Sequence, residues 1–254
     1  MEVPRSARVL GVRVDPVDTA AVEAEIERRV RARMPAAALA NVNVHAITIA
    51  GKEERFRRFL EAAPMVYCDG TGVRIAARLL GTPLPPCTVM TWWIWDLASW
   101  CAKRGFRLFL LGGVQGAAEA AGRRLAEHAP GLRVAGTHHG YFARSGGGSE
   151  AVAETINRSG ADILIVALGM TLQEYWWEEN AAQLTVPVTL FGGAAIDFAS
   201  GLKQPGPRWL GPSGLSWVYR LMREPRRLWK RYLIGNPLFM IRVVGQLVRG
   251  GTDR

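Results

Sequence analysis

The sequence is poor in the residues that most often anchor metals and disulfides. It holds three cysteines and four histidines in 254 residues. Cys68, Cys87 and Cys101 are odd in number and stand at no zinc or Cys-x-x-Cys spacing. A disulfide scaffold and a zinc module are therefore excluded, and three reduced thiols in a cytosolic protein are the simplest reading. Around His45, His138 and His139 no carboxylate or cysteine sits at a metal-ligand spacing, so hydrogen-bonded structural histidines are expected. No Asp-x-Asp pair exists to hold a divalent ion against a nucleotide diphosphate, and no Gly-x-Ser-x-Gly elbow exists for serine hydrolysis. Neither a metal nor a cofactor is expected. The N-terminal stretch "MEVPRSARVLGVRVD" lacks an apolar h-region, so a secretory signal is not expected. No apolar run approaches the roughly 18 residues of a membrane-spanning helix.

Acidic residues are scarce in one place. The net charge is +10, and from Lys203 to Arg254 eleven Lys or Arg face only Glu224 and Asp253. The first two hundred residues are close to neutral, so the chain reads as an ordinary globular body, 1–200, with a basic C-terminal appendage, 201–254. Such an appendage attracts polyanions: nucleic acid, anionic lipid or diphosphate groups. A composition 49% hydrophobic and 21% charged excludes disorder and fibrous repeats and suffices for one large core or two closely joined halves.

In the body, short β-rich runs alternate with helical patterns. "AALANVNV" (37–44), "MVYC" (65–68), "FRLFLLGG" (106–113), "LRVAGTHHG" (132–140), "ADILIVALG" (161–169) and "PVTLFGGAA" (187–195) read as strands. Helices are expected over 19–33, 46–62, 71–80, 91–104, 115–128, 149–158 and 173–183. Several strands are continuously apolar, as parallel strands covered on both faces are. The expectation is a Rossmann-like layered α/β fold with a mainly parallel sheet. "RSGGGSE" (144–150) reads as a flexible surface loop with Ser149 capping the next helix. Pro205, Pro207 and Pro212 break regular structure, and Pro225 and Pro237 are expected to cut the tail into short helices.

In such sheets ligands bind beyond the carboxyl ends of the strands. The polar and glycine residues there are Asn41 and Asn43, Asp69-Gly70-Thr71-Gly72, Gly112-Gly113, Gly169 with Gln173, and Gly192-Gly193 with Asp197. Asp69 serves equally as an Asx-turn or helix cap and as a general base on a substrate hydroxyl. The turn "LLGGVQGAAEA" resembles a phosphate-seating glycine loop but is not Gly-x-Gly-x-x-Gly. With no metal site, only the arginines of the tail offer a dense positive charge.

"YCDGTGV", "LFLLGG", "GTHHGYF", "ADILIVALGMTLQEYW", "GGAAIDFASG", "PRWLGPSGLSWVYRL" and "EPRRLWKRYLIGN" follow the order and spacing of one family. Over roughly residues 8 to 240 the chain resembles the WecG/TagA/CpsF glycosyltransferases. The resemblance implies an inverting, metal-independent enzyme, peripheral on the inner, cytoplasmic face of a bacterial membrane. Such an enzyme moves a sugar from a nucleotide donor, usually UDP-linked, to a polyprenyl-diphosphate-linked saccharide in envelope polysaccharide synthesis. Asp69 then matches the catalytic base, Asn41 and Asn43 line its pocket, Gln173 matches the active-site glutamine, and Asp197 meets the nucleoside. Arg220, Arg227 and Lys230 match the basic positions that fold over the donor diphosphate. Partners implied are the donor, the lipid-linked acceptor, an anionic membrane surface and a second copy of the chain as a homo-oligomer, with no nucleic acid.

The chain departs from the family where an Asp is usual near residues 90–92, reading Met90-Thr91-Trp92, with Asp96 one turn later as a substitute. It also carries Thr171 for Pro, Ser216 for Glu, and His45 where an acid is frequent. In the tail, Trp217, Tyr219, Leu221, Leu228, Trp229, Tyr232, Leu233, Phe239 and Ile241 interleave with basic residues, as interfacial helices do. The alternative reading is a non-catalytic basic module that binds nucleic acid or anionic lipid.

Overall fold

The computed structural model describes residues 6–144, 146–204, 206 and 216–250. Pro205, Pro207 and Pro212, where the sequence changes character, lie outside the described residues. First comes an antiparallel hairpin of β1 (Ala7–Val9) and β2 (Val12–Val14). Its turn places Leu10 at φ 50° and Gly11 at φ 80°, the paired positive angles that match strand twist in two-residue hairpins. There follow α1 (Thr19–Arg31), β3 (Ala37–Val42), α2 (Val44–Ala50), α3 (Glu54–Ala62), β4 (Met65–Cys68), α4 (Thr71–Leu79) and α5 (Met90–Arg104). Next are β5 (Arg107–Gly112), α6 (Ala117–His128), β6 (Arg133–His138), α7 (Gly147–Ser159), β7 (Ile163–Ala167), α8 (Leu172–Asn180), β8 (Val188–Phe191) and α9 (Ala195–Ser200). The C-terminal segment holds α10 (Ser216–Arg223), α11 (Pro225–Trp229), a π-helical stretch Lys230–Gly235 and α12 (Asn236–Val248).

The layered α/β architecture expected from the alternation is the one observed. Six strands lie in the order β4-β3-β8-β7-β5-β6, and β3–β8, β8–β7, β7–β5 and β5–β6 all pair in parallel. The chain divides into two compact units, one of Met1–Val22, Ala40–Val89 and Pro205–Arg254, the other of Glu23–Leu39 and Met90–Gln204. The first unit is built on the hairpin, the end of β3 and β4. In α3, Phe56, Phe59 and Leu60 recur at i, i+3 and i+4 and are buried, and this helix packs on β2. The second unit is built on β5, β7 and β8, whose residues are almost all buried. On α6 the small buried face Ala117, Ala118, Ala121 and Gly122 lets α9 come close.

Four local expectations are corrected. The helix expected over 46–62 is two, α2 and α3, with Gly51 as the C-cap of the first. The run 37–44 ends as a strand at Val42, because the Asn43 side chain accepts from the backbone N–H of His45 (3.0 Å) and Ala46 (3.1 Å) and starts α2. Ser149 caps nothing; it is buried inside α7, whose N-cap is Gly146, and its hydroxyl accepts from the Trp176 indole (2.9 Å) and the Asn180 amide (3.1 Å). Those two partners draw "GGS" into a helix where composition suggests a loop. Pro237 does not cut the tail, for it lies in the first turn of α12 and the backbone stays helical through Gly235 and Asn236. A proline ring collides with the carbonyl four residues back, and the wider π-helical turn just before it is where a helix absorbs that conflict.

Candidate active site

In the first unit, β3 and β4 end side by side, with the Asp69 N–H donating to Val42 O at 2.8 Å. At those ends stand Asn41, within the last pleat of β3, and Asn43 and Asp69 just beyond the strands. Asn41 is buried and its Nδ2 donates to Asp69 Oδ2 at 3.0 Å. The Asn41 carbonyl oxygen takes no hydrogen bond among the described residues although it is buried, which leaves an acceptor of the kind a bound hydroxyl satisfies. The N-cap of α4 is Gly70, which has no side chain to bond the helix start. Gly70 at φ 150° takes the turn from strand to helix, in a region that only glycine enters freely. Gly72 lets α4 approach α2, since a Cβ there would stand 2.6 Å from Val44 Cγ2.

The C-terminal segment of the same unit covers these helices. The π-helical stretch packs on α2, and α12 packs on both α2 and α4. Leu228, Tyr232, Phe239 and Val243 form its buried seam. Gln246 ties α12 to the hairpin, accepting from Leu10 N–H at 2.8 Å and donating to Arg8 O at 3.2 Å. This docking turns Arg231 inward, where its Nη2 lies 3.5 Å from Asn43 Oδ1. Burial first, then the like charges of Arg220 and Arg227, lower the pKa of Arg231, against the opposing pull of Tyr232 and Asp69. Burial and then Arg231 push the neighbouring His45 down to about 4, so its imidazole is neutral at pH 7. Of the basic residues expected from the sequence, Arg220 is half-buried and close enough to act on Arg231. Arg227 is exposed and paired with Glu224. Lys230 is exposed, its ammonium 5.6 Å from the centre of the Trp229 ring.

In the second unit, Gly112-Gly113, Gln173, Gly193 and Asp197 follow the carboxyl ends of β5, β7 and β8. Gly112 is required there, because a Cβ would fall 2.4 Å from Ala167 O on the neighbouring strand. Gln173 is buried, and its amide is held at both ends: Oε1 accepts from Gly193 N–H at 3.2 Å and Nε2 donates to Glu174 Oε1 at 2.8 Å. Burial pushes the Glu174 carboxyl up to about 7, and the Gln173 hydrogen bond opposes this. Gln173 thus fixes the turn after β8 to the start of α8. Asp197 pairs with Lys203 at 3.0 Å. His138 and His139 are hydrogen-bonded locally, His138 Nδ1 meeting His139 O at 2.7 Å. Asp96 is exposed on α5.

The structure therefore gathers Asn41, Asn43, Asp69 and Arg220 in one unit, and sets Gln173 and Asp197 at strand ends of the other. Sequence reasoning missed Arg231 and Glu174. A helical signal for Arg231 was present: Leu228 and Tyr232 mark the buried seam at i and i+4, and Arg231 flanks it one residue before Tyr232. Nothing in the sequence distinguishes Glu174 from the exposed Glu178 and Glu179 later in the same helix. Among the described residues no three His, Cys, Asp or Glu side chains converge as a metal ligand set.

The sequence pattern of the glycosyl transferase WecG/TagA/CpsF family matches residues 7–253. Similar proteins include the N-acetylglucosaminyldiphosphoundecaprenol N-acetyl-beta-D-mannosaminyltransferase of Bacillus subtilis (strain 168), 27% identical over 197 residues, 78% of this chain and 75% of that one. The protein of the same name from Staphylococcus aureus (strain MW2) is 25% identical over 209 residues, 81% of this chain and 78% of that one.

Proposed function

The chain belongs to the WecG/TagA/CpsF family of glycosyltransferases, and from that premise we propose that it moves a sugar from a UDP-sugar to a polyprenyl-diphosphate-linked saccharide, with inversion and without a metal ion. The observation that carries this reading is the Asn41–Asp69 pair at the ends of β3 and β4, in the same unit as the inward-turned Arg231. Inversion needs a base on the acceptor hydroxyl, on the face opposite the departing diphosphate, through an oxocarbenium-like state. Asp69 is that base. Asn41 orients its carboxylate by bonding one oxygen.

The diphosphate leaves with growing negative charge, which preorganised guanidinium groups stabilise. Arg231 and Arg220 are the inner cations of the described residues for this task, with Arg227 and Lys230 at its rim. Asp197 is assigned to the nucleoside, and Gln173, which matches the active-site glutamine of the family, holds the Gly193 turn. The names of the similar proteins point to an N-acetylglucosaminyl-diphosphate acceptor for this chain as well. Incubation of UDP-sugars with N-acetylglucosaminyl-diphospho-polyprenol in the presence of EDTA, with mass detection, tests the proposal. One added hexose or N-acetylhexosamine, undiminished by the chelator, is expected. No transfer from any donor, together with salt-sensitive nucleic-acid binding by the basic segment, would support a binding module instead.

The acceptor is a lipid, and the fold presents a face suited to a bilayer. No helix among the described residues is long and apolar enough to cross a membrane. On α12, however, Leu238, Ile241, Val244 and Val248 are exposed along one stripe, away from the buried Phe239 and Val243, with Arg242 and Arg249 beside it. Leu228, Tyr232 and Phe239, apolar residues that the sequence groups with this face, point into the protein. We assign the exposed stripe to the membrane surface. Replacing Leu238, Ile241 and Val248 by Gln is expected to abolish sedimentation with vesicles containing anionic lipid. Each inserted side chain contributes about 1.5 kcal/mol, roughly tenfold in affinity. Unchanged sedimentation would overturn the assignment.

A further inference from the structure

Two thiols stand against each other immediately before Asp69. Cys68 is the buried last residue of β4, and Cys87 is half-buried in the proline-rich stretch "GTPLPPCTV" (81–89) between α4 and α5. Their sulfurs are 3.1 Å apart, about 1 Å more than the roughly 2.04 Å of a disulfide bond. Cys68 Sγ is 3.4 Å from Gly70 O, so the pair adjoins the Asp69-Gly70 turn. The Thr88 N–H donates to Cys68 O at 3.0 Å and pins the stretch to the strand. The two sulfurs are thus within reach of a covalent bridge, and the groups that would change sit at the Asp69-Gly70 turn.

We propose that Cys68 and Cys87 are a thiol–disulfide site whose reversible oxidation switches the Asp69 turn. The shared hydrogen bond pulls the Cys87 thiol down, and the same bond, with burial, pushes the Cys68 thiol far up. Cys87, the more exposed of the two, is therefore the sulfur that meets an oxidant, and Cys68 the thiol that resolves it. With a low-molecular-weight disulfide, the Cys87 thiolate attacks one sulfur to form a mixed disulfide and releases one thiolate. Cys68 then loses its proton to solvent and attacks Cys87 Sγ, expelling the second thiolate. Two protein thiols are oxidised and one external disulfide is reduced to two thiols. Closure brings the sulfurs together by about 1 Å and removes the Cys68 thiol donor from Gly70 O, next to the Asp69 carboxylate. Cys101 is an internal control: it is buried in α5, and burial pushes its thiol up.

The activity part of this proposal rests on Asp69 as the base; the bond itself does not. Full-length protein treated with oxidised glutathione is expected to lose the mass of two hydrogens, with Cys68 and Cys87 protected from alkylation and dithiothreitol restoring both. Cys68→Ser is expected instead to retain one glutathione on Cys87, and Cys87→Ser to take up none. Sugar transfer is expected to fall on oxidation by up to about 10²-fold, the scale of a 1 Å misplacement, and to recover on reduction; Cys87→Ser is expected to transfer equally with and without oxidant. Both thiols remaining alkylatable, or a persistent glutathione adduct on the unsubstituted protein, would overturn the disulfide. A disulfide that forms without changing turnover would overturn the switch. A failure of Asp69 as base would leave the mass result unaffected, so the two ideas fail separately.

Discussion

Asp69→Asn is expected to lower kcat by about 10²–10⁴-fold, the usual contribution of a positioned general base, with the fold and donor binding unchanged. The structure makes this a clean substitution. Asn41 Nδ2 donates to Asp69 Oδ2 at 3.0 Å, and the carbonyl oxygen of an asparagine accepts that bond in the same place. The backbone bond from residue 69 to Val42 O is untouched, and the N-cap position of α4 belongs to Gly70. What disappears is the ability to take a proton from the acceptor hydroxyl. Steady-state turnover with a saturating acceptor, alongside thermal unfolding and UDP binding, separates the roles. A kcat close to that of the unsubstituted enzyme would remove Asp69 from the mechanism. A collapse of thermal stability would return it to the role of a structural turn.

Much of the body was legible because its signals are local. Continuously apolar runs such as Ile163–Ala167 are what a doubly covered parallel strand requires, and each of the six expected strands is present. The strand ends carried Asn41, Asn43, Asp69, Gln173 and Asp197 in view, since polar residues beyond parallel strands have a place before they have a role. What stayed hidden depends on packing. The small hairpin is held by Gln246, 236 residues from Leu10, a partner that no local pattern names. Ser149 became helical because Trp176 and Asn180 satisfy it from another helix. Glu174 was concealed by its own helix, where only burial tells it from Glu178 and Glu179. The arginines show the limit most directly: composition places them in the tail, and only the docked seam of Leu228 and Tyr232 decides which one turns inward.

Arg231→Gln is expected to reduce kcat/KM by about 10²–10³-fold, as the loss of a preorganised donor to developing charge does, while the same change at Lys230 costs much less. The contrast follows from position. Lys230 is solvated, and screening limits what an exposed charge contributes. Arg231 is largely desolvated beside Arg220 and Arg227, and no carboxylate forms a salt bridge with it among the described residues. A half-buried cation of this kind is unfavourable until an anion arrives, so a diphosphate there offsets both the desolvation and the repulsion. Two consequences distinguish this from a structural role. Arg231→Gln removes an unfavourable half-buried charge and is expected to be no less stable than the unsubstituted protein in thermal unfolding. Arg231→Lys keeps the charge but loses the planar fork that grips two phosphate oxygens, so it is expected to rescue UDP binding only in part. Loss of stability in Arg231→Gln with unchanged UDP affinity would assign the guanidinium to holding α2 against the C-terminal segment. A drop in UDP affinity with an intact fold would place it on the diphosphate. The deletion of everything beyond residue 203 cannot make this distinction, because it would also uncover α2 and α4, on which the π-helical stretch and α12 pack.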